Sequence, residues 1–163
     1  VKVHYTRKYL RSIREAQCIN REVGAKGSVK QNRAQRTEID AKAFEKGVKL
    51  ESNIDENIKF NFDSYSINEL VEILLDNALK HADKKSTIVV SLKEQGNNIL
   101  LSVTDTGDII PKGEEERIFE RFYRLDKSRC KKENRYGLGL AIASNIVINH
   151  NGKISAESVG KVT

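Results

Sequence analysis

From about residue 38 of the 163, apolar and polar positions alternate in readable patterns. Ala41 to Lys46 predicts a helix stopped by Gly47, a residue suited to the left-handed end of a helix. Val48, Leu50 and Ile54, then Ile58, Phe60 and Phe62, predict two strands around a polar Asp55-Glu56-Asn57 turn. Ser66, with Glu69 three residues on, predicts the cap of a helix that runs to about Ala82. On that helix Ile67, Val71, Leu74, Leu75, Ala78, Leu79 and Ala82 fall on one broad arc, with Glu69, Glu72 and Asp76 opposite. Thr87 to Leu92 and Ile99 to Val103 flank Gln95-Gly96-Asn97-Asn98 and predict an antiparallel hairpin. An acidic stretch with glycines, Asp105 to Glu116, leads to Ile118-Phe119, a charged loop up to Arg135, a helix from Leu138 to about His150 and a strand from Lys153 to Glu157. The expected fold class is α+β: a two-layer sandwich with helices on one face of a mixed, mostly antiparallel sheet.

Charge separates the first quarter from the rest. Residues 1–37 carry ten basic side chains against Glu15 and Glu22, a net of +8, whereas the remaining residues sum to −2 and the whole chain to +6. Tyr9 to Val23 suggests a helix with a ragged apolar side of Leu10, Ile13, Cys18 and Ile19, broken at Gly24 to Ser28. A solvated helix, a nucleic-acid arm, a membrane-surface helix and an expression remnant all fit this composition. Two parts are therefore expected: a basic segment, 1–37, of uncertain structure, and a domain over 38–163. The 38% hydrophobic content suffices for one core. No apolar run approaches the roughly 18 residues of a membrane span, and Val1-Lys2-Val3-His4 does not open an apolar signal, so a soluble fragment is expected. Cys18 and Cys130 match no metal or redox spacing, which fits a reducing cytoplasm.

Three groups of residues carry candidate chemistry. Asn77 and His81, spaced i and i+4 with Lys80 beside them, fall at the margin of the apolar arc. An Asn carbonyl suits a hard cation such as Mg²⁺ that takes its other ligands from water and phosphate. Lys80 can meet phosphate and His81 a base or ribose; a polar helix edge is the plainer reading. Asp105-Thr106-Gly107 places a carboxylate at a strand end, where it can accept from an exocyclic amine and select adenine; an ordinary turn is the alternative. Gly137-Leu138-Gly139-Leu140 leads into an apolar helix whose first amides favour an anion. Upstream, Arg121, Arg124, Lys127, Arg129, Lys131, Lys132 and Arg135 crowd one loop, either a lid over a polyphosphate or a solvated basic loop. The P-loop and Rossmann spacings are absent.

In order, these groups resemble the catalytic ATP-binding domain of bacterial two-component sensor histidine kinases. Asn68 to His81 resembles the family's N box and Asp105-Thr106-Gly107 its first glycine box. Ile118-Phe119-Glu120-Arg121-Phe122-Tyr123-Arg124 resembles the F box, and Gly137-Leu138-Gly139-Leu140-Ala141 the second glycine box. The resemblance covers about 38–163 and implies the Bergerat ATP-binding fold, with ATP and Mg²⁺ as cofactors. It implies that Asn77 holds Mg²⁺, Lys80 and Arg129 approach phosphate, and His81 lies against the nucleotide. It further implies that Asp105 receives the adenine amine, Gly107 clears space beneath the ring, Phe119 and Phe122 hinge the lid, and Gly137 and Gly139 admit the polyphosphate. Ile110, Leu138 and Leu140 complete the implied site.

Ile73 stands where many relatives have Asn and the hydrolytic ATPases a Glu, and Ile109 replaces the second glycine of Asp-x-Gly-x-Gly. The family also continues beyond Val162-Thr163 into a final strand. None of His4, His81 and His150 has the setting of a phosphoacceptor, so the implied enzyme, a protein histidine kinase, is expected to be inactive alone. The acceptor is expected on a separate dimerisation domain of the full-length protein, a homodimer, with relay to a response-regulator aspartate. The full-length protein is expected in the cell membrane with this domain on the cytoplasmic side. A catalytically impaired regulatory module and a nucleic-acid binder acting through residues 1–37 are the alternatives, although no nucleic-acid partner is expected.

Overall fold

A computed structural model of the chain describes residues 2–6, 30–55, 58, 63–125 and 136–159, with burial assigned to side chains from residue 38 onward. In chain order the elements are β1 (Lys2–Thr6), α1 (Lys30–Lys46), β2 (Lys49–Ile54), α2 (Ser64–His81), β3 (Thr87–Gln95), β4 (Asn98–Thr104), a 3₁₀ turn (Arg117–Phe119), α3 (Gly139–Asn149) and β5 (Gly152–Ser155). The strands form one sheet in the order β2-β3-β4-β1-β5. The β2–β3 pair is parallel and the other three pairs are antiparallel. This is the expected α+β arrangement.

Strand periodicity builds the core face. Ile88 and Leu92 of β3 are buried with Val90 between them half-buried, and Ile99, Leu101 and Val103 of β4 are buried at every second position. Against them lie Ile67, Leu70, Leu74, Ala78 and Leu79 of α2 and Ala143, Ile146 and Val147 of α3, in one cluster. Truncating a residue as enclosed as Leu70 or Leu74 costs about 2–5 kcal/mol. The buried face of α2 matches the arc read from its sequence, with Leu70 added.

Four local expectations change. The N-cap of α2 is Asp63 rather than Ser66: the Asp63 carboxylate accepts from the Ser66 backbone N–H at 3.0 Å. A carboxylate satisfies a free amide and also meets the positive helix end, and the Ser66 hydrogen bonds hold its pKa below the usual range. The first helix begins at Lys30, well before Ala41, and so runs across residue 37; its polar first half has no apolar stripe that would announce it. Of the second strand expected at 58–62, Ile58 is buried outside any strand and 59–62 lie outside the described residues. The last strand ends at Ser155 rather than Glu157.

The basic segment supplies β1, which lies between β4 and β5 and pairs Val3 with both Leu101 and Ile154. The helix suggested at Tyr9 to Val23 lies outside the described residues. Among the described residues no helix is long and apolar enough to cross a membrane.

Candidate functional site

The C-terminal end of α2 anchors the site. A helix leaves its last carbonyls without intrahelical partners, and here each finds one. Lys46 Nζ, at the end of α1, donates to the carbonyls of Leu79 at 2.6 Å, Lys80 at 2.9 Å and Ala82 at 3.3 Å. The His81 carbonyl accepts from the Asp108 N–H at 3.3 Å. The stretch after β4 also runs against this end: Asp83 N–H donates to the Thr106 carbonyl at 2.7 Å, and Ala82 and Gly107 form a β-bridge. A Cβ at Gly107 would stand 2.0 Å from the His81 carbonyl oxygen. The need for glycine there comes from the crossing of two backbones, in addition to any room it leaves for a ligand.

This crossing sets Asp105 beside His81. Asp105 is 6% exposed, and among the described residues its buried Oδ1 has no hydrogen-bond partner. Burial pushes its pKa up to about 6, against the opposing positive field of His81 and Lys46. A buried acceptor without a donor is costly, and a ligand N–H is the kind of group that would satisfy it. His81 Nδ1 lies 3.0 Å from Asp108 Oδ2, which fixes the ring beside this pocket.

Farther back along α2, Ile73, Asn77 and His81 share one stripe at four-residue spacing, roughly 12 Å from end to end at a rise of about 1.5 Å per residue. At the Ile73 end stands the N-terminus of α3, where Gly139 brings its Cα so close that an added Cβ would touch Ile73 Cγ2 at 3.5 Å. Leu138 caps α3 without a side-chain hydrogen bond, and the N-terminus of this 11-residue helix is the end that favours an anion. Asn77, half-buried, lies between the two ends, and among the described residues its amide has no hydrogen-bond partner.

Gly137 has φ of +66°, and a Cβ there would approach the Tyr123 carbonyl oxygen at 2.9 Å. Its own carbonyl accepts from the Phe122 N–H at 3.0 Å. The two ends of the basic loop are thereby joined at the F-box segment, in which Phe119 is half-buried and the Phe122 side chain exposed. Arg129 and the other loop cations between 126 and 135 lie outside the described residues. Lys80 and Leu140 are half-buried on α2 and α3, and the Ile110 N–H donates to Ser158 Oγ at 3.0 Å.

The structure therefore brings His81, Asp105, Gly107 and Asp108 together at one end of the sandwich, carries Asn77 and Lys80 on the last turns of the same helix, and sets Gly139 against its Ile73 end. Sequence reasoning missed Lys46 and Asp108. A lysine in the last turn of a helix is a general capping signal, but its target lies 33 to 36 residues away.

Residues 62–163 match the family described as histidine kinase-, DNA gyrase B-, and HSP90-like ATPase. The chain belongs to that family. It is 38% identical over 112 residues to the sensor histidine kinase WalK of Bacillus subtilis, an alignment covering 67% of this chain and 18% of WalK. It is 42% identical over 81 residues to the sensor-like histidine kinase SenX3 of Mycolicibacterium smegmatis, covering 50% of this chain and 21% of SenX3. The chain thus spans about a fifth of the length of these curated relatives. In fold it is similar to the catalytic domain of histidine kinase ThkA, with a TM-score of 0.67 at 21% identity over 80% of this chain and 83% of that one. The mixed α+β architecture is the one these kinase domains share.

Proposed function

We propose that this chain is the ATP-binding catalytic module of a sensor histidine kinase, supplying the γ-phosphoryl group to a histidine on the dimerisation domain of the same full-length protein. The observation that carries this reading is the buried Asp105 Oδ1, without a partner among the described residues, at one end of an α2 stripe whose other end meets the start of α3. The adenine amine donates to Asp105, and His81, held by Asp108, borders the base. The polyphosphate lies toward Leu138, Gly139 and Leu140, at the N-terminus of α3, where a helix start favours an anion. Gly107 and Gly137 keep the chain crossings that frame the two ends, Ile110 completes the site, and Phe119 together with the Phe122 backbone anchors the loop.

Mg²⁺, when bound, neutralises phosphate charge. The Asn77 carbonyl is the protein ligand available to it, with phosphate and water as the remainder, an arrangement that suits a cation reluctant to lose its waters. Lys80 and Arg129 add positive charge near the phosphates. Phosphoryl transfer needs chiefly positioning and charge stabilisation from the protein. Ile73, packed against the core and facing Gly139, offers no group to activate water, which favours transfer to an acceptor over hydrolysis.

In the full-length homodimer the phosphohistidine passes its group to a response-regulator aspartate, from a protein held in the cell membrane with this module on the cytoplasmic side. The membership of the family and the sensor-kinase relatives support this assignment. Mixing the chain with the purified dimerisation domain, Mg²⁺ and labelled ATP should place acid-labile label on the acceptor histidine, and neither component alone should do so. Nucleotide binding with no label transferred would overturn the kinase assignment.

A further inference from the structure

We infer that Lys46, on α1 and outside the segment that matches the family, is a positioning residue for the nucleotide site: it fixes the last turn of α2 so that Asn77, Lys80 and His81 meet the Asp105 pocket. This rests on the reading that the pocket takes ATP. Three carbonyls, those of Leu79, Lys80 and Ala82, depend on one ammonium group, at 2.6, 2.9 and 3.3 Å. An ammonium has three protons and no acceptor, so its full donor capacity matches that set. The fourth carbonyl of the turn, that of His81, is taken by Asp108 N–H on the opposite side.

The turn is therefore clamped between α1 and the stretch that carries Asp105. A cation at a helix C-terminus also meets the negative end of the helix dipole. Without Lys46, three carbonyl groups of the turn that carries Lys80 and His81 lose their donor.

Lys46 acts on the pocket by charge as well as by geometry. Asp105 has His81, Asp108 and Lys46 as its nearby charged groups among the described residues, and Lys46 works against the upward effect of burial. A second lysine of α1, Lys42, reaches α2 differently. It pairs with Asp76 at 3.3 Å and with Glu38 at 2.7 Å, touching no helix-end carbonyl. It serves as the internal control, since both lysines join α1 to α2 but only Lys46 holds the turn.

The test is calorimetric titration of Mg²⁺-ATP from pH 5 to pH 8 into the wild type, Lys46→Met, Lys46→Arg and Lys42→Met. The wild type should bind ATP more tightly as pH rises through about 6, because the ionised Asp105 accepts the amine more strongly than the protonated carboxyl does. Lys46→Met should bind about tenfold or more weakly, the loss expected for hydrogen bonds to a charged group, and its midpoint should move to higher pH. Lys46→Arg keeps the charge and should keep the midpoint; Lys42→Met should match the wild type in both affinity and midpoint.

If Lys46→Met does not fold, Lys46→Arg decides, because a planar fork cannot reproduce the three-carbonyl fit: affinity should fall while the midpoint stays, and wild-type affinity in Lys46→Arg would overturn the inference. Equal affinity and midpoint in wild type and Lys46→Met would overturn it as well. Failure of the wild type itself to bind ATP would instead overturn the functional reading on which it rests.

Discussion

The two ends of the α2 stripe are built differently. At the Asp105 end, three elements lock together through backbone hydrogen bonds, the Ala82–Gly107 bridge, the Lys46 clamp and the His81–Asp108 contact. At the α3 end, the frame rests on the Phe122–Gly137 hydrogen bond and on the packing of Gly139 near Ile73. The contrast suits a ligand with one rigid, flat end that needs a shaped, partly apolar pocket and one charged end that needs free amides and cations. Shape is supplied by residues far apart in sequence, whereas free amides come with any helix start.

Substitutions can separate the two ends. The largest effect should follow Gly107→Ala, whose Cβ has nowhere to go beside the His81 carbonyl; a loss of about 3 kcal/mol or more is expected in urea unfolding. Wild-type stability there would mean that the two backbones do not cross as described.

Asp105→Asn should act with the opposite sign. The Asp105 pKa is raised in the folded state, so its contribution to stability is present below the usual carboxylate range near 4 and is lost as pH rises through about 6. The Asn variant should therefore gain on the unliganded wild type between pH 5 and pH 8, by up to roughly 3 kcal/mol for a shift of that size. Parallel stability curves for the two proteins would deny that the carboxylate is buried without a partner.

Gly137→Ala forces a left-handed backbone on a residue with a side chain and crowds Tyr123, and should cost about 1–2 kcal/mol in the same assay. The smallest effect on stability belongs to Asn77→Ala, within about 0.5 kcal/mol, because its amide has no partner among the described residues. Its effect should appear instead in Mg²⁺-dependent ATP binding, and unchanged affinity by calorimetry would remove Asn77 from the site.

Where structure follows from local pattern, the sequence was a good guide. The hairpin of β3 and β4 and the buried arc of α2 declare themselves by period, since both bury one face against the same core. The first half of α1 does not, because Lys30 to Thr37 is polar all round. The position of β1 was hidden in another way: Val1, Val3 and Tyr5 alternate with Lys2 and His4, yet the +8 charge of residues 1–37 dominates the reading, and strand pairing depends on partners about 95 to 150 residues away.

The site divides along the same line. Asn77, His81 and Asp105 are legible as residue types in a spacing, and the chain crossing that sets Asp105 beside His81 is not. The reasons for Gly107 and Gly137 were only partly legible, because a glycine that admits a crossing backbone looks the same in sequence as one that admits a ligand. Lys46 was not legible, since a cap on a distant helix leaves no periodic trace.

The most direct measurement compares Mg²⁺-ATP and Mg²⁺-GTP binding to wild type and Asp105→Asn by calorimetry at pH 7. The wild type should prefer ATP at least about tenfold, the worth of a hydrogen bond to a charged acceptor, and Asp105→Asn should lose most of that preference while remaining folded. An Asp105→Asn protein that binds ATP as tightly as the wild type, with the same preference over GTP, would contradict the assignment of this buried carboxylate to the adenine end of the site.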